Sequence, residues 1–120
     1  MPLEDRDAAY LWDMLQAARE ADDMMKDCDL ADFLDNHMLQ RAVERCLEII
    51  GESARHVSSD GQAAVPGIPW RDIIGQRNIL AHEYGQIDYE LLYKTVMEDI
   101  PELIRLLEAA LPPIDDGDIQ

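Results

Sequence analysis

One hundred and twenty residues, 48% of them hydrophobic, suit a single domain, 1–120, and argue against disorder. The acidic start Met1-Pro2-Leu3-Glu4-Asp5-Arg6-Asp7 is followed by no long apolar run, which excludes a secretory leader and a membrane span and points to the cytoplasm. Cys28 and Cys46 lack zinc or redox spacing and read as reduced thiols. The formal net charge of −16 runs against the basic footprint usual in nucleic-acid binders.

In chain order, residues 8–27 place Tyr10/Leu11, Met14/Leu15, Ala18, Ala21 and Met24/Met25 at three-to-four-residue spacing, which predicts an amphipathic helix of about five turns. Asp29-Leu30-Ala31-Asp32 offers cap-type residues ahead of Phe33 and Leu34 and predicts a short second helix or turn. Asn36 is placed to cap a long helix whose stripe is Leu39, Val43, Cys46/Leu47, Ile50, Ala54 and Val57. Ser58 to Pro69 reads as a loop, with Ser58-Ser59-Asp60-Gly61 and Pro66-Gly67-Ile68-Pro69 as breakers. Pro69 sets the entry to a further helix, Trp70 to about Tyr84, which Gly85 is placed to end.

Asp88 is placed to cap the last long helix, with Leu91/Leu92, Thr95/Val96, Ile100, Leu103/Ile104, Leu107 and Leu111 on one face. Pro101 falls inside that pattern and predicts a kink or restart between Glu98 and Pro101. Pro112-Pro113 stops the helix, and 114–120 reads as a frayed acidic tail. No strand alternation occurs. The expectation is an all-α fold: an antiparallel up-and-down bundle of four long helices plus a short one, with a kinked C-terminal helix.

Charge is unevenly spread along this chain. Residues 1–40 hold eleven acids and three bases, for −8, and residues 83–120 hold ten and two, again −8. Residues 41–82 hold five of each, for zero. Either the acids simply solubilise a small domain, or that neutral island is the only place where a polyanion can settle.

Within the island, Arg77-Asn78-Ile79-Leu80-Ala81-His82-Glu83-Tyr84 sets a polar quartet into a core-forming helix. At about 100° per residue, Arg77 and Tyr84 share one line and Asn78 and His82 a neighbouring one. Arg77 and His82 are about 140° apart on an ideal helix. They converge through the long arginine side chain, through local distortion, or across a dimer interface.

Cutting RNA without a metal needs a base for the 2′-hydroxyl proton, an acid for the leaving 5′-oxygen, and a fixed cation for the phosphorane charge. His82 can move protons near neutral pH, Arg77 can clamp phosphate oxygens with its planar fork, Asn78 can orient either, and Tyr84 can stack on a base or bond to phosphate. One histidine per chain serves poorly as both acid and base, which favours two chains sharing a cleft. The residues alone equally allow a structural role, with Arg77 paired to a core acid such as Glu52 and His82 capping carbonyls near Gly85.

From about residue 8 to 111 the chain resembles the HepT-like branch of the HEPN superfamily. The matching stretches are Arg41-Ala42-Val43-Glu44-Arg45-Cys46-Leu47-Glu48-Ile49-Ile50-Gly51-Glu52-Ser53-Ala54, Ile68-Pro69-Trp70-Arg71-Asp72-Ile73-Ile74-Gly75-Gln76-Arg77-Asn78-Ile79-Leu80-Ala81-His82-Glu83-Tyr84, and Asp99-Ile100-Pro101-Glu102-Leu103. The resemblance implies a dimerising helical bundle with Arg-x4-6-His as a metal-independent ribonuclease motif and a polar residue after the arginine; Arg77, His82 and Asn78 fit those positions. It also implies a toxin–antitoxin pair, in which a small nucleotidyltransferase antitoxin adenylylates the tyrosine matched by Tyr84 in His82-Glu83-Tyr84. Gln76, where methionine is frequent, and Tyr93, where tryptophan often sits, depart from the pattern. A second reading keeps the bundle as a non-catalytic module that partners a nucleotidyltransferase as its nucleotide- or substrate-binding subunit.

Other residues carry less. His37 and His56 read as surface histidines, because neither Glu-x-x-His nor HExxH occurs; no metal and no cofactor is expected. Glu52, in the Ile49-Ile50-Gly51-Glu52 turn, is placed either to orient Arg77 across the bundle or simply to face solvent. Trp70 is a packing anchor and Met24/Met25 fill core. The expected partners are an RNA substrate, the antitoxin and a second copy of the chain, with no DNA and no membrane.

Overall fold

The computed structural model describes residues 3–75 and 87–112, and among these every regular element is helical and no strand occurs. Helices α1 (Asp5–Met24) and α3 (His37–His56) have 20 residues each. They run antiparallel, because their meeting points fall in reverse order: Asp7 with Ser58, Tyr10 with His56, Glu20 with Cys46. The predicted stripes are the buried faces, with Leu11, Met14, Leu15, Ala18 and Ala21 on α1 and Val43, Leu47, Ile50 and Ala54 on α3. A buried leucine contributes about 1.5–3 kcal/mol over an exposed one, so this seam is a main source of stability.

The connection between them is built around one ring. Helix α2 (Leu30–Leu34) is capped by Asp29, whose carboxylate accepts the Asp32 N–H at 2.8 Å. Its Phe33 is fully buried and meets the rings of Tyr89 and Tyr93 at 6.4 and 5.8 Å. So short a helix leaves carbonyls without partners. The buried Gln40 amide supplies them, donating to Phe33 O at 2.9 Å and Leu34 O at 3.1 Å. Asn36 caps α3 as predicted, accepting from Leu39 N at 3.0 Å.

The expected loop after α3 contains a helix, α4 (Ser59–Ala64). Ser58 Oγ accepts the Gly61 N–H at 3.0 Å, so the Ser-Ser-Asp-Gly stretch that reads as a breaker is an N-cap sequence here. Pro66-Gly67 follows it in a turn. Residues 70–75 are helical and form α5. Trp70 anchors its start, the indole N–H shared between Gln62 O and Val65 O at 3.1 Å each. The remainder of the helix predicted through Tyr84, and the tail 114–120, lie outside the described residues.

Helix α6 (Tyr89–Glu98) is capped by Asp88, which accepts from Leu91 N at 3.1 Å. Helix α7 (Ile100–Ala110) restarts after Asp99 with Pro101 in its first turn. That is the predicted break, and the proline explains it because it offers no N–H and fits a first turn at no cost. The buried face, Leu92, Val96, Ile100, Leu103, Leu107 and Leu111, continues across the joint, whereas Leu91 is 55% exposed. Helix α1 packs against α3 and α7, with Arg19 Nη2 donating to Glu108 at 2.7 Å on the rim. Tyr93 OH donates to Cys28 O at 3.0 Å, tying α6 to the connection between α1 and α2. No helix among the described residues is long and apolar enough to cross a membrane.

Candidate functional site

Arg77, Asn78, His82 and Tyr84 lie outside the described residues; the structure defines the frame on either side of them. Upstream, α5 enters from Pro69 under the Trp70 anchor, with Ile73 and Ile74 half-buried against the core. Downstream, Ile87 packs on the same core and Asp88 fixes the first turn of α6. Tyr89 then donates to the buried Glu44 carboxylate of α3 at 3.1 Å. Burial, reinforced by that carboxylate, pushes the Tyr89 phenol up, so it stays protonated and keeps donating. Both ends of the motif segment are therefore pinned to α3, α4 or the core.

Between these ends lies a groove of about 900 Å³, bordered by both Gly75 and Ile87. Leu47, Ile50, Ile73, Leu92 and Leu103 give it an aliphatic lining, while Asp72, Asp88, Asp99 and Glu102 stand against Arg71 among its charged residues. Such a rim repels phosphate.

Glu52 is the predicted site residue that the structure does describe. Its side chain is 42% exposed, with Oε1 accepting from Arg55 Nη2 and contacting His56 Nε2, each at 3.2 Å. Its other oxygen, Oε2, is buried. The imidazole of His56 stacks on the Tyr10 ring of α1, centroids 5.2 Å apart and planes 21° apart. The i, i+4 spacing lets Glu52 meet His56 on one helix face, whereas the Tyr10 contact depends on how α1 and α3 register. His37 and His56 are both exposed, as predicted. Burial, with nearby carboxylates adding to it, pushes the Cys28 and Cys46 thiols up, which disfavours the thiolate form.

The frame is that of an all-α bundle in which Ile73 and Ile74 on one side of residues 76–86, and Ile87 on the other, pack on the core, with an aliphatic groove of acidic rim bordered by Gly75 and Ile87. The chain belongs to the HepT-like ribonuclease family, whose description "Ribonuclease HepT-like" it matches over residues 14–110. It is 43% identical over 100 residues to "Putative RNase MJ1380" of Methanocaldococcus jannaschii, covering 83% of this chain and 92% of the relative. "Probable ribonuclease HepT" of Thermococcus cleftensis is 39% identical over 94 residues, 78% of this chain and 86% of that one. "Putative RNase TTE0752" of Caldanaerobacter subterraneus is 32% identical over 102 residues, 85% and 91% of the two chains. No solved structure matches the chain significantly.

Proposed function

We propose that the chain is a metal-independent endoribonuclease, the toxin of a toxin–antitoxin pair, with Arg77 and His82 performing the cleavage. The observation that carries this reading is the complete set Arg77, Asn78, His82 and Tyr84 inside the residues that match a ribonuclease family. His82 takes the 2′-hydroxyl proton or protonates the 5′-oxygen, and Arg77 holds the phosphoryl oxygens through paired N–H donors. Asn78 orients one of them. A homodimer brings a second His82 into the same cleft, which supplies the acid and the base separately. The products are a 2′,3′-cyclic phosphate and a 5′-hydroxyl.

A partner nucleotidyltransferase silences the enzyme by adenylylating Tyr84. The added anion stands at the rim of the cleft and competes for Arg77 through the same charge-assisted bonds as RNA.

The test is cleavage of labelled RNA by wild type, His82→Ala and Arg77→Lys, with and without EDTA. Wild type is expected to cut in chelator, His82→Ala to be inactive, and Arg77→Lys to stay badly impaired, because a point charge cannot replace a bidentate fork. Loss of cleavage in EDTA with recovery by magnesium would overturn the mechanism. The second reading, a non-catalytic module bound to a nucleotidyltransferase, is favoured by the net charge of −16 and the acidic groove. It predicts that no variant differs from wild type in RNA cleavage, while a co-expressed nucleotidyltransferase still co-purifies.

A further inference from the structure

We propose that the outer face of His56, seated on the Tyr10 ring, is a stacking subsite for one unpaired base of a single-stranded RNA. The proposal deepens the ribonuclease reading, on which it rests for the choice of RNA, by naming how a strand is held. The imidazole has one face against Tyr10 of α1, centroids 5.2 Å apart and planes 21° apart. Its Nε2 edge meets Glu52 Oε1 at 3.2 Å. The side chain is nevertheless 42% exposed, so what solvent reaches is the opposite face and the remaining edge. A flat π surface presented in this way suits an unstacked base, and histidine is among the rings on which single-stranded RNA stacks.

The platform is fixed before a base arrives. Val57, the next residue, is buried. Ser58, one further, is bound through N and Oγ to the buried Asp7 of α1. The end of α3 is thus clamped to the start of α1, and little side-chain freedom is lost when a base settles on the ring. The other ring contacts among the described residues centre on Phe33, which is fully buried. The pair formed by Tyr10 and His56 differs from them in reaching the surface.

Charge favours this way of binding. A chain of net charge −16 gains little from releasing counterions at phosphates. Stacking needs no opposite charge and tolerates every base, because each has a π face. One cation is at hand: Arg6 stands one turn before Tyr10 on the same face of α1, is exposed, and belongs to no ion pair among the described residues. Glu4, Asp5 and Asp13 are exposed on the same stretch. The subsite therefore holds a nucleotide by its base, with Arg6 assisting at the phosphate, and does not track a backbone.

The experiment uses full-length protein and a single-stranded 2′-O-methyl oligonucleotide of about eight nucleotides, which lacks the 2′-hydroxyl nucleophile and survives the titration. Affinity is read by fluorescence anisotropy, with Tm measured on each variant. The ring-proton NMR signals of His56 are assigned by their loss in His56→Ala. Binding is expected to move the His56 signals upfield and leave those of His37 in place, and an abasic oligonucleotide of the same length to move neither. His56→Ala is expected to weaken Kd about tenfold. His56→Phe is expected to stay within about twofold of wild type, because it keeps a ring on Tyr10, and His37→Ala to change nothing. Silent His56 signals in a saturated complex overturn the proposal, as does absence of binding by wild type. So does a His56→Phe protein that keeps its Tm yet binds like His56→Ala. The all-ribose oligonucleotide separates the two readings. Cleavage with silent His56 signals removes the subsite alone, whereas His56 shifts without cleavage sink the ribonuclease reading and leave the subsite.

Discussion

Asp7 accepts the N–H and the hydroxyl of Ser58, and the same Ser58 oxygen accepts the N–H of Gly61. Three segments share this corner, and Asp7 is only 4% exposed. The Ser58 hydroxyl and then its N–H hold the Asp7 carboxyl below its ordinary value, with Arg6 adding to the effect. A depressed carboxyl stabilises the fold above the unfolded aspartate pKa, about 4, and that stability is lost as pH falls through the lower folded value. Urea midpoints of wild type should therefore drop on acidification below about pH 4, and Asp7→Asn should flatten that drop while costing about 1–3 kcal/mol at neutral pH. Equal acid sensitivity in the two proteins would count against the Asp7 assignment. Gly61 reports on the same corner. A Cβ there would sit 2.6 Å from Asp7 Oδ2 and 2.8 Å from Val57 Cγ1, so Gly61→Ala should destabilise by about 1–3 kcal/mol in a denaturation series. None of this was legible beforehand: an aspartate in the first turn of an acidic helix reads as a solvated residue, and its burial depends on where α3 ends.

At the scale of elements, apolar spacing located α1, α3, α6 and α7, because each buries one continuous stripe that a 3.6-residue period reveals. The caps Asp29, Asn36 and Asp88 were equally readable, since a short acceptor ahead of an apolar run has one obvious use. Helix α4 was missed because glycine and serine clusters mark loops more often than helices, and its cap is completed by Asp7 from far along the chain. Gln40 was missed for a related reason, as a polar residue on a predicted helix gives no sign that it faces inward. Asp88 carries a prediction at this scale. It ends the connection from the motif segment and begins α6, so losing its cap should fray the first turn that holds Tyr89 on Glu44. Asp88→Ala should cost about 1 kcal/mol, and hydrogen exchange should rise at Leu91, whose N–H the carboxylate accepts. Protection unchanged at that amide would show that the cap contributes nothing.

For the whole molecule, fold and chemistry separate in how far the sequence reveals them. The bundle follows from patterns distributed over the chain, whereas the proposed site rests on four residues in one segment whose convergence no periodicity decides. Charge joins the two scales. With −16 overall and a neutral island only at residues 41–82, the proposed RNA substrate would be repelled at long range and attracted only close to that island. Several arginines are already engaged on the surface, Arg19 by Glu108, Arg55 by Glu52 and Arg105 by Glu102, which leaves few to hold phosphates. Salt acts on these two ranges differently. At about 0.1 M the Debye length is about 10 Å, so distant repulsion is screened while a close ion pair survives. A basic nuclease instead loses affinity steadily as counterions displace its many phosphate contacts. For this protein kcat/KM on a short RNA should rise between about 20 mM and about 150 mM monovalent salt, then fall at about 1 M as the remaining contacts are screened. Initial rates across that series, at fixed pH and with chelator present, decide the matter. A steep monotonic decline from the lowest salt would mean that RNA meets an extended basic face, which the distribution of arginines along this chain does not provide.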